Sequence, residues 1–269
     1  MNQRVAQSVN DQTVAQRFSA AAKHYHEHDR VQKLSSMQLF DAMTPQGVML
    51  DIGSGPGTDF SQFSSVNQVI ALDIAQGMLE QVKLDFPDYQ TICANAESIP
   101  LPDNSIDSAY SNLALQWCGD LSTSFNETGR VLKAGGEYHL AIVAQDSLAE
   151  LAELGFRVNA FRSLEEILSH FDREQWQIIA AETTAVSVYF ADLKSLLYSI
   201  KGVGASIHGD DNDNGSIKAK PSQEIRGRGD WQKLLAIAEL SRTAQGLPLT
   251  YQIATISVKA QQHNQEIYL

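Results

Sequence analysis

Short apolar runs alternate with amphipathic segments through the middle of the chain. Strands are predicted at residues 48–50, 69–73, 89–93, 105–111 and 137–144, and helices at 74–85 and 121–133. The segment after Gly57 is also able to start a helix. Strands that alternate with helices form parallel sheets with right-handed crossovers. The pattern therefore predicts an α/β domain with a doubly wound, mostly parallel sheet.

The two flanking parts of the chain have their own periodicity. Apolar residues at helical spacing predict one or two helices over residues 13–43, and the polar residues 1–12 are expected to be frayed. Toward the other end, the sequence predicts helices at 163–171, 191–201 and 231–243 and strands at 174–190 and 249–258. The sheet is then seven-stranded.

These elements divide the chain into three parts. We expect residues 1–47 to form an N-terminal helical segment that acts as a lid, and residues 48–260 to form the main domain. An insertion at about 191–245, between the last two strands, is expected to act as a further lid. Residues 261–269 are expected to be a tail.

The domain is organised around the turn after its first strand, where Asp51 precedes Gly53, Gly55 and Gly57. Glycine allows a sharp turn at positive φ and lets a ligand lie against the backbone. The next strand ends in Asp73, where a carboxylate binds a ribose diol in doubly wound sheets. The glycine spacing differs from the G-x-G-x-x-G fingerprint of nicotinamide cofactors, and Asp51 would repel a pyrophosphate. It suits a ligand with an ammonium group and no phosphate, such as S-adenosylmethionine.

Polar residues follow the other predicted strands as well. Asp51, Asp73, Asn95 and Asn112 stand at four strand exits. These exits meet at one edge of a parallel sheet, where ligands bind. Each residue alone could be a turn former, but together they predict one binding site.

Composition excludes several other classes of function. The net charge of −12 argues against a nucleic-acid-binding protein, which needs a basic face. The sequence has no run of about 18 apolar residues, so no membrane helix is predicted. Residues 1–7 lack the apolar core of an export signal, so no export is expected. Cys93 and Cys118 do not make a disulfide framework, so we expect a reducing cytoplasm.

One histidine motif, His24-x-His26-x-His28, invites a metal interpretation. Residues two apart do not share a helical face, and no cluster of carboxylates or cysteines accompanies the motif. We therefore expect no metal.

Beyond the glycine turn, which is common to class I methyltransferases, the chain resembles a narrower family. The resemblance is to the malonyl-[acyl-carrier protein] O-methyltransferases of biotin synthesis, and it covers residues 14–259. It lies in the stretches Phe18-Ser19-x-Ala21-Ala22-x-x-Tyr25, Ser111-Asn112-Leu113-Ala114-Leu115-Gln116-Trp117-Cys118-Gly119-Asp120-Leu121, Ser199-Ile200-Lys201-Gly202-Val203-Gly204-Ala205 and Pro248-Leu249-Thr250-Tyr251. It implies a Rossmann-like fold of the class I methyltransferases.

The resemblance also implies a cofactor, S-adenosylmethionine, with S-adenosylhomocysteine as its product. The residues implied to hold the methionine part are Asp51, Gly53, Ser54, Gly55, Gly57, Asn112 and Leu113. Those implied to hold the adenosine are Asp73 at the ribose hydroxyls, Ile74 and Met78 on the adenine ring, and Asn95 and the Ala96 N–H at its edge. The family favours Asp where Asn95 stands. An Asn carbonyl can still accept from the adenine amino group, so we expect weaker binding at most.

The implied reaction is methyl transfer to the free carboxylate of a malonyl thioester, giving the methyl ester that enters fatty-acid-type elongation toward pimeloyl and biotin. The malonyl group is carried by an acyl-carrier protein or by coenzyme A. Its carboxylate, with a reference pKa of about 4, needs no general base. Catalysis then consists of in-line positioning, desolvation and exclusion of water. The candidate catalytic residues are Tyr25, Gln116 and Trp117.

Cations are expected at two places. One should meet the substrate carboxylate, and the candidates are Arg17, Arg157, Arg162 and Lys201. The carrier protein is acidic, as is this chain, so docking needs a local basic patch. The late insertion offers Lys218, Lys220, Arg226 and Arg228.

Other functions predict different features. A small-molecule methyltransferase acting on a quinone precursor predicts a neutral, aromatic acceptor pocket with no cation. A non-catalytic S-adenosylmethionine-binding protein, a sensor or scaffold, predicts degraded motifs, whereas Asp51, the glycines and Asp73 are intact. The glycine spacing and the late strand at 249–258 count against a nicotinamide oxidoreductase.

Overall fold

A seven-stranded sheet in the order β3-β2-β1-β4-β5-β7-β6 forms the centre of the protein. The computed structural model describes residues 2–22, 25, 29–156, 158–202 and 228–261, with the backbone alone for 2–10, 201–202 and 228. The strands are β1 (Gly47–Ile52), β2 (Val66–Asp73), β3 (Gln90–Cys93), β4 (Ile106–Asn112), β5 (Leu132–Val143), β6 (Trp176–Phe190) and β7 (Leu247–Ala260). The helices are α1 (Asn2–Ala21), α2 (Arg30–Ala42), α3 (Gln76–Asp85), α4 (Leu121–Val131), α5 (Ala149–Glu153), α6 (Leu164–Ser169), α7 (Leu193–Gly202) and α8 (Arg228–Leu240).

The sheet is mostly parallel, as the sequence predicts. Strand β1 pairs in parallel with β2 on one side and with β4 on the other, and β2–β3 and β4–β5 are also parallel. Strand β7 is antiparallel to both β5 and β6. The order reverses at β1 and β4, and a crevice for ligands opens at the carboxyl ends of strands where a doubly wound sheet reverses.

Helices cover both faces of the sheet. Successive residues of a strand point to opposite faces, so Met49 and Leu50, both fully buried, belong to two separate cores. The Met49 core contains Leu39 of α2, and the Leu50 core contains Phe125 of α4, whose ring stacks on Phe171 at 3.9 Å. This packing fixes the strand ends that form the site.

The helix predicted after Gly57 is wrong. Residues 53–65 form successive turns instead, since this stretch is rich in Gly, Ser, Pro and Asp, which favour turns over helices. The Asp59 carboxylate accepts a hydrogen bond from the Ser61 N–H at 2.9 Å. Phe60 anchors the loop, because its buried ring packs edge-on against Tyr110 at 5.3 Å. The crossover from β1 to β2 is therefore a loop, and residues 94–105 between β3 and β4 also lack a helix.

The first helix begins at Asn2, whereas the sequence predicted a frayed segment through residue 12. Residues 2–21 contain no Gly or Pro, so nothing ends the helix before Ala21. Helix α1 lies directly on α3, where the Gly77 N–H donates to the Ser19 hydroxyl at 3.2 Å. A Cβ at Gly77 would lie 2.8 Å from the Ser19 carbonyl oxygen, so glycine permits this approach.

Two short elements are absent from the sequence prediction. Helix α5 and a 3₁₀ turn at Leu115–Trp117 are too short to show a period. Gly129 lies inside α4, where a glycine costs about 1 kcal/mol relative to alanine. Packing accounts for it, since a Cβ at this position would lie 2.4 Å from the Gln175 side chain.

The insertion between β6 and β7 contains α7 and α8. Residues 203–227 and the histidines 24, 26 and 28 lie outside the described residues. Among the described residues, no helix is both long and apolar enough to span a bilayer.

Candidate active site

The glycine turn is tied to the end of the neighbouring strand. The N–H groups of Gly53 and Ser54 donate to the Leu72 carbonyl at 2.7 and 3.0 Å, and the Gly55 N–H donates to the Asp73 carboxylate at 2.8 Å. The φ angles of Gly53, Gly55 and Gly57 are 67°, 54° and 103°, which is the region that favours glycine. Since β1 and β2 are adjacent parallel strands, these bonds hold the turn at the carboxyl edge of the sheet.

Asp73 is buried and faces the turn. One carboxylate oxygen accepts the Gly55 N–H, and the other accepts the Ala75 N–H at 2.7 Å. Burial raises the pKa of this carboxyl, and the backbone hydrogen bonds oppose the rise. A carboxylate has about four acceptor positions, so Asp73 can accept further bonds from a ligand.

Asp51 is almost completely buried at the end of β1, and one of its carboxylate oxygens has no hydrogen-bond partner among the described residues. Burial raises its pKa to about 7, although hydrogen bonds from Thr58 act against this. Three side-chain amide oxygens near the site are also buried and have no hydrogen-bond partner among the described residues. They belong to Gln32, Asn112 and Gln116, which line the two cavities described below. The site thus offers acceptors and needs donors, which an ammonium group supplies.

A cavity of about 100 Å³ opens above this edge of the sheet. The predicted cofactor residues that line it are Gly53, Gly55, Asp73, Ile74, Met78, Asn95, Ala96, Asn112 and Leu113. Asp51, Ser54 and Gly57 are not among its lining residues. The cavity also has Asp11, Val14 and Phe18 of α1 in its wall. Phe18 belongs to a stretch that carries the family resemblance, whereas no sequence pattern assigned Asp11 to the site. The site is therefore built jointly by the sheet edge and the first helix.

A second cavity of about 550 Å³ adjoins the first. The two share Phe18, Tyr25, Leu113 and Trp117, so these residues stand between them. The rings of Phe18 and Trp117 meet edge to face at 5.7 Å. All three catalytic candidates of the sequence line this larger cavity, and Gln116 is oriented by a bond from its amide to the Leu113 carbonyl at 2.6 Å.

Tyr25 stays protonated near neutral pH. Burial raises the pKa of its phenol, and the charges of Asp73 and Asp29 raise it further, while a hydrogen bond from the Gln32 side chain opposes them. The backbone carbonyl of Gln32 also accepts the Asn112 amide at 2.8 Å. Gln32 of α2 therefore joins Tyr25 to the strand exit of β4. Cys118 is likewise protonated, since burial raises the pKa of its thiol to about 12.

The cations at the larger cavity differ from those that the sequence suggested. Among the described residues, the basic side chains that line this cavity are Arg30 and Lys194. The Arg30 guanidinium donates to the Tyr189 carbonyl at 3.3 Å, and the Lys194 ammonium lies 5.8 Å from the centre of the Tyr198 ring. Only the fold brings these cations, one from α2 and one from α7, to the same cavity.

The predicted cations lie elsewhere or are not described. Arg17 of α1 and Arg162 do not line either cavity, and Arg162 pairs with Glu166 at 3.7 Å. The backbone of Lys201 is in α7, and Arg228 is the first residue of α8. Arg157, Lys218, Lys220 and Arg226 lie outside the described residues.

Comparison with known proteins gives the same fold and a narrower relationship. Residues 50–140 match the family model described as a methyltransferase domain. The chain is 38% identical over 212 residues to the malonyl-[acyl-carrier protein] O-methyltransferase of Erwinia billingiae, covering 74% of this chain and 82% of the relative. It is 30% identical over 258 residues to the enzyme of the same name from a Marinomonas species, covering 90% and 92%. The chain belongs to the malonyl-[acyl-carrier protein] O-methyltransferase family. The family resemblance seen in the sequence is thereby confirmed.

The chain is also similar to part of a longer protein. The chain is 30% identical over 260 residues to the biotin biosynthesis bifunctional protein of Cellvibrio japonicus, covering 93% of this chain and 50% of that protein. The chain thus spans about half the length of that relative.

Solved structures support the class I methyltransferase fold of the family. A putative methyltransferase of Haloferax volcanii has a TM-score of 0.56 at 14% identity, covering 91% of this chain and 98% of that one. A possible histamine N-methyltransferase of Thermotoga maritima has a TM-score of 0.52 at 17% identity, covering 93% and 100%. The predicted fold class is confirmed.

The pocket fits S-adenosylmethionine, the cofactor of this family. The unpartnered oxygen of Asn112 in the cavity wall suits its ammonium group, and Asp73 suits the ribose hydroxyls. The unpartnered Asp51 carboxylate lies behind this wall at the end of the neighbouring strand β1 and adds negative charge. Ile74 and Met78 provide an apolar wall for a flat ring. A Cβ at Gly55 would meet no atom within 4 Å, so space for a ligand lies against the turn.

Proposed function

We propose that the chain transfers a methyl group from S-adenosylmethionine to the free carboxylate of a malonyl thioester carried on an acyl-carrier protein. The product is the methyl ester that enters fatty-acid-type elongation toward pimeloyl and biotin. The observation that carries this proposal is the pair of adjoining cavities, which share Phe18, Tyr25, Leu113 and Trp117. The smaller one fits the cofactor, and the larger one has room for an acyl group beside it. Family membership supports the same substrate.

On the cofactor side, the role of the protein is to hold and orient S-adenosylmethionine. When bound, the cofactor supplies a methyl group on a sulfonium, which needs no further activation. Asp51 and Asn112 would hold the ammonium, and Asp73 would hold the ribose hydroxyls. Fixing these groups at once directs the methyl group toward the larger cavity, and such positioning can contribute several kcal/mol to catalysis.

On the acceptor side, the protein needs no general base, because a malonyl carboxylate is already ionised at neutral pH. The neutral phenol of Tyr25 can donate a hydrogen bond to one carboxylate oxygen and leave the other to attack. Arg30 and Lys194 supply positive charge that draws the anion into the cavity. Phe18 and Trp117 exclude water at the junction, which removes the hydration shell of the attacking oxygen.

The larger cavity also bears on the alternative of a quinone-type acceptor. Its wall is strongly aromatic, with Phe161, Phe190 and Tyr251 among the lining residues, as that alternative expects. It nevertheless carries Arg30 and Lys194, and Asp192 is the acid beside them. The Asp192 carboxylate accepts the Ser195 N–H at 2.7 Å at the start of α7, so its charge is engaged by the helix. An anionic acceptor is therefore favoured.

The deciding experiment compares three acceptors with labelled S-adenosylmethionine: malonyl-carrier protein, malonyl-coenzyme A and acetyl-carrier protein. We expect a base-labile methyl ester on the malonyl carrier and none on the acetyl carrier, which has no free carboxylate. Mass spectrometry of the carrier would show the added methyl group. If cofactor binds but no malonyl thioester gains label, the biotin assignment fails and a quinone-type methyltransferase or a sensor is preferred.

The carrier protein would dock beside the insertion. An acidic carrier needs local positive charge to bind a chain of net charge −12. The residues proposed to supply this charge are Lys218, Lys220, Arg226 and Arg228. The free thiols Cys93 and Cys118 fit a reaction in the reducing cytoplasm.

Charge reversal tests this docking surface. Changing the four basic residues to Glu should raise the KM for malonyl-carrier protein about tenfold and remove its dependence on salt, since rim charges steer association. Turnover of a small malonyl thioester should change little, because such a substrate has no acidic carrier surface for these charges to attract. Unchanged kinetics with the carrier at low and high salt would rule the patch out.

A further inference from the structure

A contact between α1 and the loop after β3 lies inside the cofactor cavity. The Asn95 amide nitrogen donates to the Asp11 carboxylate at 2.9 Å, across 84 residues of sequence. The Asn95 amide oxygen accepts the Glu97 N–H at 2.9 Å. These two bonds fix the amide, with its NH₂ group toward Asp11 and its carbonyl toward the loop. The carbonyl that the sequence assigned to the adenine amino group thus already accepts one hydrogen bond and is turned toward the loop.

Asp11 is placed where that amino group needs an acceptor. Strand β3 pairs with β2 so that Asp73 lies opposite Cys93, and the next residues leave the sheet beside Asp73. A nucleoside held by Asp73 and lying on Met78 therefore extends toward the loop that starts at Ala94. Asp11 and Asn95 both line the cavity at this loop. Burial raises the pKa of the Asp11 carboxyl, and its bond from Asn95 opposes the rise.

The carboxylate is held there by the docking of its helix. Ser19 of α1 accepts the Gly77 N–H of α3, and Phe18 packs on a buried cluster of Ala22, Ala75 and Met78. Among the described residues, Asn95 is the one hydrogen-bond donor to the Asp11 side chain. A second acceptor position of the carboxylate remains for a ligand.

We propose that Asp11 is a cofactor-specificity residue, whose carboxylate, oriented by Asn95, accepts a hydrogen bond from the exocyclic amine of the adenine ring. The family pattern favours a carboxylate at position 95. In this chain Asp11 of the first helix would supply that carboxylate, and the Asn95 amide would orient it by a hydrogen bond. The proposal rests on the proposed cofactor and its orientation by Asp73. It also makes α1 part of the binding site, so cofactor affinity depends on the docking of this helix.

The test uses two ligands that differ only at the purine edge. S-adenosylhomocysteine has an amine donor at this position, and its inosine analogue has a carbonyl acceptor. We expect the full-length protein to prefer the adenosine form by about 10- to 100-fold in calorimetry, because a hydrogen bond to a charged group is strong and a carboxylate repels a carbonyl. Asp11→Asn should lose most of this preference, since an amide can donate to the carbonyl instead.

Two further variants make the result specific. Asp41→Asn removes the same charge from the exposed end of α2 and should leave both affinities unchanged. Adding Asn95→Asp to Asp11→Asn exchanges the two groups and should restore the preference for the adenosine form. If Asp11→Asn weakens both ligands equally, or the exchange restores nothing, Asp11 has only a structural role and the inference fails. If the unaltered protein binds neither ligand, the proposed cofactor itself fails.

Discussion

Replacement of Asp51 by Asn is expected to weaken S-adenosylmethionine binding by about 100-fold. The Asp51 carboxylate is buried with an oxygen that has no partner among the described residues, so it is the natural counter-charge for the ligand ammonium. Removing one partner of a buried charge pair costs about 2–5 kcal/mol. Calorimetric titration with S-adenosylhomocysteine, which carries the same ammonium, would measure the loss.

The same carboxylate should make binding depend on pH. Its pKa is raised to about 7 by burial, so below pH 7 the ligand must displace a proton from Asp51. Affinity should therefore rise with pH by up to about tenfold per unit and level off near pH 7. Above about pH 8 the ligand amine itself loses its proton and affinity should fall again. Asp73, whose pKa is also raised by burial, adds to the loss on the acid side.

The stability of the variant separates a binding role from a structural one. A carboxyl whose pKa is raised in the folded state lowers the stability as the pH rises from its ordinary pKa of about 4 to about 7, so the destabilisation by Asp51 is complete above pH 7. Asp51→Asn should consequently keep or raise the unfolding temperature at pH 8 while it weakens binding and flattens the acid side of the pH profile. A lower unfolding temperature together with an unchanged affinity would contradict both parts of the argument.

The sequence predicted the sheet and its binding edge because both depend on local patterns. Asp51, Asp73 and Asn112 lie at or next to the ends of β1, β2 and β4, and parallel strands bring such ends together without further information. The missing helix after Gly57 shows the limit of this reasoning. The loop is fixed by Phe60, whose packing partner Tyr110 is on β4.

The remaining site residues depend on contacts that no local pattern contains. Asp11 meets Asn95 across 84 residues, and the Gln32 carbonyl meets Asn112 across 80. Arg30 and Lys194 reach one cavity from two helices that are far apart in the sequence, α2 and α7. A cation on a helix usually faces solvent. The sequence alone therefore could not select Arg30 and Lys194 as the cations of the cavity in preference to Arg17 or Arg162. The sheet edge could therefore be predicted from the sequence, whereas the side chains that the helices α1, α2 and α7 bring to the two cavities could not.

Two glycines of the turn should respond differently to the same small change. A Cβ at Gly53 would lie 2.3 Å from the Cβ of Ala114, and the φ of 67° adds strain. Gly53→Ala is therefore expected to destabilise the fold by about 3 kcal/mol, from overpacking and from the left-handed backbone together. Thermal and denaturant unfolding would measure this loss. Adding Ala114→Gly should recover the overpacking part, because it removes the atom that clashes.

Gly55→Ala should instead spare the fold and impair binding. Its Cβ would meet no protein atom within 4 Å, so only the strain of a φ of 54°, about 1 kcal/mol, opposes folding. The new methyl group would project into the cofactor cavity, which Gly55 lines, and we expect an affinity loss of at least about tenfold. Full affinity in Gly55→Ala would show that the space beside the turn is not where the cofactor lies. Equal stability losses in the two single variants would show that the clash with Ala114 does not distinguish them. Stability kept but affinity lost in Gly55→Ala would locate the cofactor against the turn.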